Sequence, residues 1–384
     1  MPVPATTGTL RSKLSDMQIG DYIPMTFATA FFGVPTPLPN QYFFALGDDT
    51  KSEMPINGLN GTMTDTGKFY LIKVAKGLLI SDRVIAYNVS WDKCNTYKVI
   101  EGIPWYGGNV IPKMTSNTSP SGVASASSEI SPNASAYKAF DNSNTSAWAT
   151  KYSEKTGWLC YEFDTPKIIR AYSITAKTDV YSKTAPSSWT FEAFDENTGQ
   201  WIVLHSMQSV TGWTAGLERT YIFTNNKAFK KYRINIFSIE DPSLPNVGLA
   251  ELKMMETAGI IRSLTGGVAY ADANGNKSMT NLGYGAFPVN NEFDKYIVNF
   301  PQELIQNGKT IDDVFHCKRD ATNNIPYTWC QDTPINGILN VNSVAGDSSR
   351  RVCRVVWNTS THSHLPSNDN GSYVGFRPVF EYIE

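Results

Sequence analysis

Apolar and polar residues alternate with a period of two through the middle third of the chain. Leu159, Tyr161 and Phe163 share one face, with Cys160 and Glu162 on the other. Trp189 and Phe191 repeat the pattern, and so do Tyr232, Ile234 and Ile236 around the polar Arg233 and Asn235. Alternation of this kind between turn-rich loops marks half-buried antiparallel strands. Several such strands between residues 114 and 257 predict one β-sandwich. A loose run of small and polar residues, Thr115 to Ser128, leads into it.

The flanks are also strand-rich but differently patterned. Residues 20–27, 66–75 and 83–90 read as strands of high β propensity. Gly33 to Pro39 and Asn57 to Gly61 supply turns, and Ile103 to Gly108 forms a linker. After the sandwich, Ile261 to Tyr270 is a strand broken by glycine. Glu292 to Val298 is the best helical candidate, followed by 302–306 and 312–316. Arg351 to Trp357 and Tyr373 to Tyr382 form two closing strands around the Asn/Ser/Gly-rich loop 358–372. Neither flank reads as a complete domain. A sandwich with neighbouring termini can sit in a surface loop of another domain. The expected organisation is an attachment segment at 1–19, helical or extended, one host domain at 20–113 and 258–384, and the sandwich at 114–257.

Length and composition agree with this division. The chain has 384 residues, enough for two or three domains. Hydrophobic residues reach 41%, enough for packed cores, and the formal net charge is −2. So small a net charge gives no global attraction for nucleic acid or an anionic membrane. Aromatics at 12% suit β cores and sugar stacking alike. The five cysteines, Cys94, Cys160, Cys317, Cys330 and Cys353, are scattered and without a CxxC pair, which speaks against a zinc cluster or a disulfide framework. Cys160 reads as a buried thiol. The N-terminus lacks a basic start followed by an apolar core, so the expectation is synthesis in the bacterial cytoplasm without a signal peptide. No apolar run is long enough for membrane insertion.

The middle region resembles a discoidin domain of the coagulation factor 5/8 type C class, in particular a family 32 carbohydrate-binding module. The likeness is carried by Ser121 to Ser128, Tyr137 to Asp141 with Trp148, and Gly157 to Phe163. It continues through Pro186 to Phe191, Lys231 to Asn235 and Leu249 to Leu252. It implies an eight-stranded jelly-roll sandwich that binds ligand on loops at one end. The flanks resemble phage and prophage tail proteins of Gram-positive hosts, through Ile19 to Pro24, Gly67 to Lys73, Gly266 to Gly275, Asn291 to Val298 and Val374 to Glu381. Their closing pattern is also similar to the C-type-lectin-like fold of formylglycine-generating-enzyme relatives. That family's catalytic cysteines have no match here, so no enzymatic role carries over. The fold class implied is mainly β: a discoidin-like sandwich inserted into a discontinuous, β-rich host domain of C-type-lectin-like, α+β character.

The discoidin resemblance implies a structural calcium ion beside the ligand end. The corresponding ligands are the Lys138 carbonyl, Asp141, Ser143, Ser146 (with Thr145 as its alternative), the Ala250 carbonyl and Glu251. Two carboxylates among hard oxygens suit Ca²⁺; an Asx-capped turn is the other reading. Sugar binding needs aromatic faces and planar polar groups. The loops 148–156, 177–188 and 205–219 offer Tyr152, Tyr181, Lys183, His205, Trp213 and Arg219. Trp148, Trp158 and Trp189 fall on core positions of the discoidin family, so the resemblance implies packing for them. Trp213, in a glycine-bounded loop, is divided between exposure for stacking and packing.

Two further motifs have bland readings. Asp272 to Lys277 starts like a calcium loop but lacks the closing acidic residue, which makes it a solvent-exposed turn. His362 and His364 read as solvated loop histidines, with a metal shared on a threefold axis as the alternative. No GxSxG, HExxH or P-loop appears.

Together these expectations describe a non-enzymatic receptor-binding or baseplate protein of a phage tail or tail-like particle. Its partners would be a bacterial cell-wall or surface polysaccharide and other tail subunits, and a homotrimer would supply avidity. Its place would be the virion tail, acting at the host cell surface. The alternatives are a glycan-active enzyme, whose paired carboxylates can lie far apart in sequence, and a purely structural tail component.

Overall fold

The structure is a computed structural model and describes residues 3–33, 42–56, 59–60, 66–316, 327–354 and 362–384. The expected turns at 34–39, 57–58 and 61, Cys317, the end of the strand at 355–357 and the start of the loop at 358–361 lie outside the described residues. Strands dominate, and the chain is mainly β. It divides into two compact units. One comprises Met1–Trp105, Gly259–Tyr382 and Glu384; the other comprises Tyr106–Ala258 and Ile383. The second unit starts ahead of residue 114 because its first segment is tied down within it. The Gly107 amide donates to the Thr257 carbonyl (2.9 Å) and the Val110 amide to that of Met254 (2.8 Å). Ile111 and Met114 pack into its core.

Eight strands build the two main sheets of the second unit: β1 (Val123–Ala126), β2 (Gly157–Lys167), β3 (Ala171–Thr175), β4 (Pro186–Asp195), β5 (Gln200–Met207), β6 (Glu218–Ile222), β7 (Phe229–Ile239) and β8 (Glu251–Met255), and the short strands Trp148–Ala149 and Gly248–Leu249 pair separately. One sheet runs β5-β4-β7-β2-β1 and the other β6-β3-β8, and all their pairings are antiparallel. The alternation in the sequence sets which residues face inward. Leu159, Tyr161, Trp189, Phe191, Tyr232, Ile234 and Ile236 are all buried in one core. Trp148 and Trp189 belong to that core. Trp158 does not, since it alternates with the inward Leu159, lies opposite Asn235 and is half-buried on the outer face. Cys160, on that same outer face, is buried and forms no disulfide; burial pushes its thiol up to about 12.

Because the pairs are antiparallel, β2, β4, β6 and β8 begin where β3, β5 and β7 end. Residues 127–156, 176–185, 208–217 and 240–250 therefore emerge at one end of the sandwich.

The discontinuous unit is held by a seven-stranded sheet. Val379–Tyr382 lies between Leu78–Ser81 and Ala258–Arg262, and Ile103–Tyr106 follows at the edge. Strands from before and after the sandwich segment are thus neighbours. A six-stranded sheet contains Arg350–Arg354 and His362–Pro366. The expected helix at 292–298 is a π-helix at Phe293–Val298, and Ile311–Phe315 is a short α-helix. The segment read as an attachment arm is bonded into this unit. The Ala5 amide donates to Asp313 (3.2 Å) and that of Thr7 to Leu304 (2.9 Å).

Two readings of this unit change. His362 and His364 are not solvated loop residues: both lie on a strand and are fully buried. Spacing by two puts them on one face, but here that face is the core. The His364 Nε2–H reaches the Ile338 carbonyl (3.1 Å), while Nδ1 accepts from Arg350 Nε (2.7 Å). His362 Nε2 reaches the Gly267 carbonyl (3.2 Å), and its buried Nδ1 has no hydrogen-bond partner among the described residues. The turn at Asp272 is closed on itself, its Oδ1 accepting from the amides of Asn274 and Asn276 (both 2.8 Å). No helix among the described residues is long and apolar enough to cross a membrane.

Candidate functional site: the loop end of the sandwich

Glu251 opens β8 opposite Thr175, which carries its carboxylate inward to full burial. Its Oε1 accepts the Ser143 amide (2.8 Å), but its buried Oε2 finds no hydrogen-bond partner among the described residues. Asp141 lies beside it and also accepts the Ser143 amide (3.1 Å). The Ser146 hydroxyl donates to both Asp141 oxygens (2.9 and 2.7 Å), and Lys138 Nζ stands 3.8 Å from Asp141 Oδ2. Thr145 turns instead to the Ser143 hydroxyl (2.9 Å). Burial first, and then the neighbouring Asp141, push the Glu251 carboxyl up to about 8.

An orphaned buried carboxylate oxygen next to a second carboxylate and a serine hydroxyl is a hard-oxygen donor set of the chemistry Ca²⁺ takes. These residues fit Ca²⁺. Ala250 is buried just before Glu251, and its amide donates to the Thr175 carbonyl (2.9 Å). Among the described residues, no group of three or more His, Cys, Asp or Glu side chains is arranged to hold a metal. Any ion here would lean on carbonyls and hydroxyls beyond the two carboxylates.

The structure separates the six expected sugar-binding residues. Tyr152 (71% exposed) and Tyr181 (45% exposed) stand in solvent on the loop end. Lys183 is exposed on the same loop as Tyr181 and pairs with Glu240 at 3.7 Å. Trp213 is buried, at 1% exposure, and the expectation of a stacking surface fails there. Its indole folds under the loop, with Nε1 donating to the Pro186 carbonyl (2.9 Å). Arg219 covers its ring at 4.5 Å and donates to the Gly212 carbonyl (2.9 Å). His205 is not on the loop end at all. It sits within β5 opposite Phe191, half-buried, with Nδ1 2.9 Å from the Tyr172 hydroxyl. That hydroxyl also accepts from Trp189 Nε1 (2.8 Å). Burial lowers the His205 imidazole.

Glu240 was not anticipated from the sequence, yet it organises this end. Its oxygens accept the Gly212 (3.0 Å) and Trp213 (2.8 Å) amides as well as pairing with Lys183. The Lys183 carbonyl accepts the Asp241 amide (3.2 Å), and Lys155 Nζ reaches the Pro242 carbonyl. Four loops are thereby fastened to each other beneath two exposed tyrosines. The only signal was positional: Glu240 is the first acidic residue after the alternation of β7 stops.

No family model matches the chain, and no curated protein matches it. Solved structures do. Chitosan-binding module 1 from a Paenibacillus chitosanase/glucanase is similar at 19% identity, over 38% of this chain and 98% of that one, with a TM-score of 0.31. The family 32 carbohydrate-binding module of Clostridium perfringens NanJ, solved with galactose, is similar at 19% identity, over 35% and 93%, with a TM-score of 0.30. An F5/8 type C domain from Bacteroides fragilis is similar at 17% identity, over 35% and 91%, also with a TM-score of 0.30.

Proposed function

We propose that the unit Tyr106–Ala258 binds a saccharide at its loop end, and that the chain is a receptor-binding or baseplate subunit of a phage tail or tail-like particle that recognises a bacterial surface glycan. The observation that carries the binding reading is the loop end itself. Two exposed tyrosines stand on loops tied together, that of Tyr181 by Glu240 through Lys183 and that of Tyr152 by Lys155 on the Pro242 carbonyl, with Arg219 beside them. Exposed aromatic rings offer C–H stacking surface, and rigid polar neighbours orient hydroxyls. The tail context rests on the sequence resemblance of the flanks. A Ca²⁺ ion held by Asp141, Glu251 and Ser146 would neutralise the carboxylate pair and stiffen the 141–146 loop at that end. Single saccharide sites are weak, so several copies on one particle, as in a trimer, would give the avidity.

The test uses the biotinylated full chain, tetramerised on streptavidin, and intact bacteria. The expected result is cell binding that extracted wall polysaccharide competes away and that chelation weakens. Absence of binding to cells and to polysaccharide at this valency would sink the reading.

A further inference from the structure

Lys177 lies two residues beyond the end of β3, at the loop end. Its backbone is pinned by the Gly216 amide, which donates to its carbonyl (3.0 Å). Its side chain then runs across Gly248. A Cβ at residue 248 would fall 2.3 Å from Lys177 Cε, 2.6 Å from Nζ and 3.0 Å from Thr184 Oγ1. The absence of a side chain at Gly248 is therefore what opens the channel for this lysine. The ammonium ends 5.9 Å from the centroid of the Tyr181 ring.

What the ammonium lacks is a partner. Lys183, on the same loop, has Glu240 at 3.7 Å, and Lys227 has Asp195 at 2.9 Å. Among the described residues, Lys177 has no ion pair and no hydrogen bond from its side chain. The nearby Asp179 spends its Oδ1 on the Tyr181 amide (2.9 Å). Burial lowers the Lys177 ammonium, with Asp179 only partly offsetting it. A half-buried cation held in no direct ion pair costs stability and is relieved by an anion that arrives with a ligand.

We infer that Lys177 and Tyr181 form a subsite for a negatively charged sugar, the ring packing on Tyr181 and its carboxylate or phosphate pairing with the Lys177 ammonium. This rests on the saccharide-binding reading above and names its ligand class. Carboxylate and phosphate share the chemistry of a compact anion on a sugar ring.

The experiment measures affinity of the full chain for two matched pairs of immobilised glycans. Oligogalacturonate against its full methyl ester isolates a carboxylate. Phosphomannan against its dephosphorylated form isolates a phosphate. The expected result is at least tenfold tighter binding to the charged member of one pair, and the pair identifies the anion. Lys177→Met should reduce that preference to within about twofold, while Lys177→Arg keeps it. Neither should lower the melting temperature, since Met removes an unpaired charge. Equal binding of charged and neutral forms in both pairs would overturn the inference and leave saccharide binding standing. So would a preference that survives Lys177→Met. Binding to no saccharide, on these surfaces or on cells, would remove the reading beneath it as well.

Discussion

With Glu251 held up at about 8 by burial and Asp141, the folded protein keeps a proton on this carboxyl that the unfolded chain releases near the ordinary value of 4.5. A raised folded-state value contributes stability that is full below pH 4.5 and is lost as pH rises through 8. In chelator, the melting temperature of the sandwich should therefore fall between pH 6 and pH 8. Ca²⁺ should restore it, binding more tightly at higher pH as the proton leaves. Glu251→Gln should abolish both the pH slope and the Ca²⁺ response in a thermal-shift titration. A wild-type melting temperature indifferent to Ca²⁺ at pH 8 would contradict the cation site. His362 has the opposite sign. Burial, followed by the charge of Arg354, lowers its imidazole to about 3, so its contribution is present above pH 6.5 and is lost as pH falls toward 3. With Ca²⁺ saturating, the discontinuous unit should lose stability from pH 7 to pH 5, and His362→Gln should flatten that loss in urea titrations.

At the scale of elements, the loop end separates residues that hold the loops together from the exposed residues proposed to meet a saccharide. Trp213→Ala removes a fully buried indole and the donor to Pro186, and should cost about 3–5 kcal/mol in denaturant unfolding. Tyr152→Ala and Tyr181→Ala remove exposed rings and should leave stability within about 0.5 kcal/mol while weakening saccharide binding. The same contrast shows what the sequence could reveal. Period-two alternation identified Leu159, Tyr161, Trp189, Phe191, Tyr232 and Ile234 as core, because facing inward is a local property of a strand. It could not place Trp213, whose flanking glycines permit a turn without saying on which side the indole closes. Nor could it place His205, which sits near a strand end in the sequence but pairs with Phe191 in the fold. Spacing told that His362 and His364 share a face, and said nothing of what covers it. Glu240 and Lys177 act through partners on other loops, which no local pattern records.

For the molecule as a whole, the discontinuity was legible as two incomplete flanks, but the pairing was not. That Val379–Tyr382 lies between Leu78–Ser81 and Ala258–Arg262 depends on residues hundreds of positions apart. The segments leading into and out of the sandwich meet at the bond from Gly107 to Thr257. A fragment spanning residues 106–258 should consequently melt cooperatively on its own, with the Ca²⁺ response of the full chain. A fragment that is unfolded by circular dichroism would show that the unit needs the rest of the chain.

The most direct measurement is saccharide binding by the full chain against its Tyr152→Ala/Tyr181→Ala double variant, on extracted wall polysaccharide with Ca²⁺ present. The account predicts saturable binding by the wild type and a loss of at least tenfold in the variant, at an unchanged melting temperature. Equal binding by the two proteins would contradict it and move recognition away from the loop end.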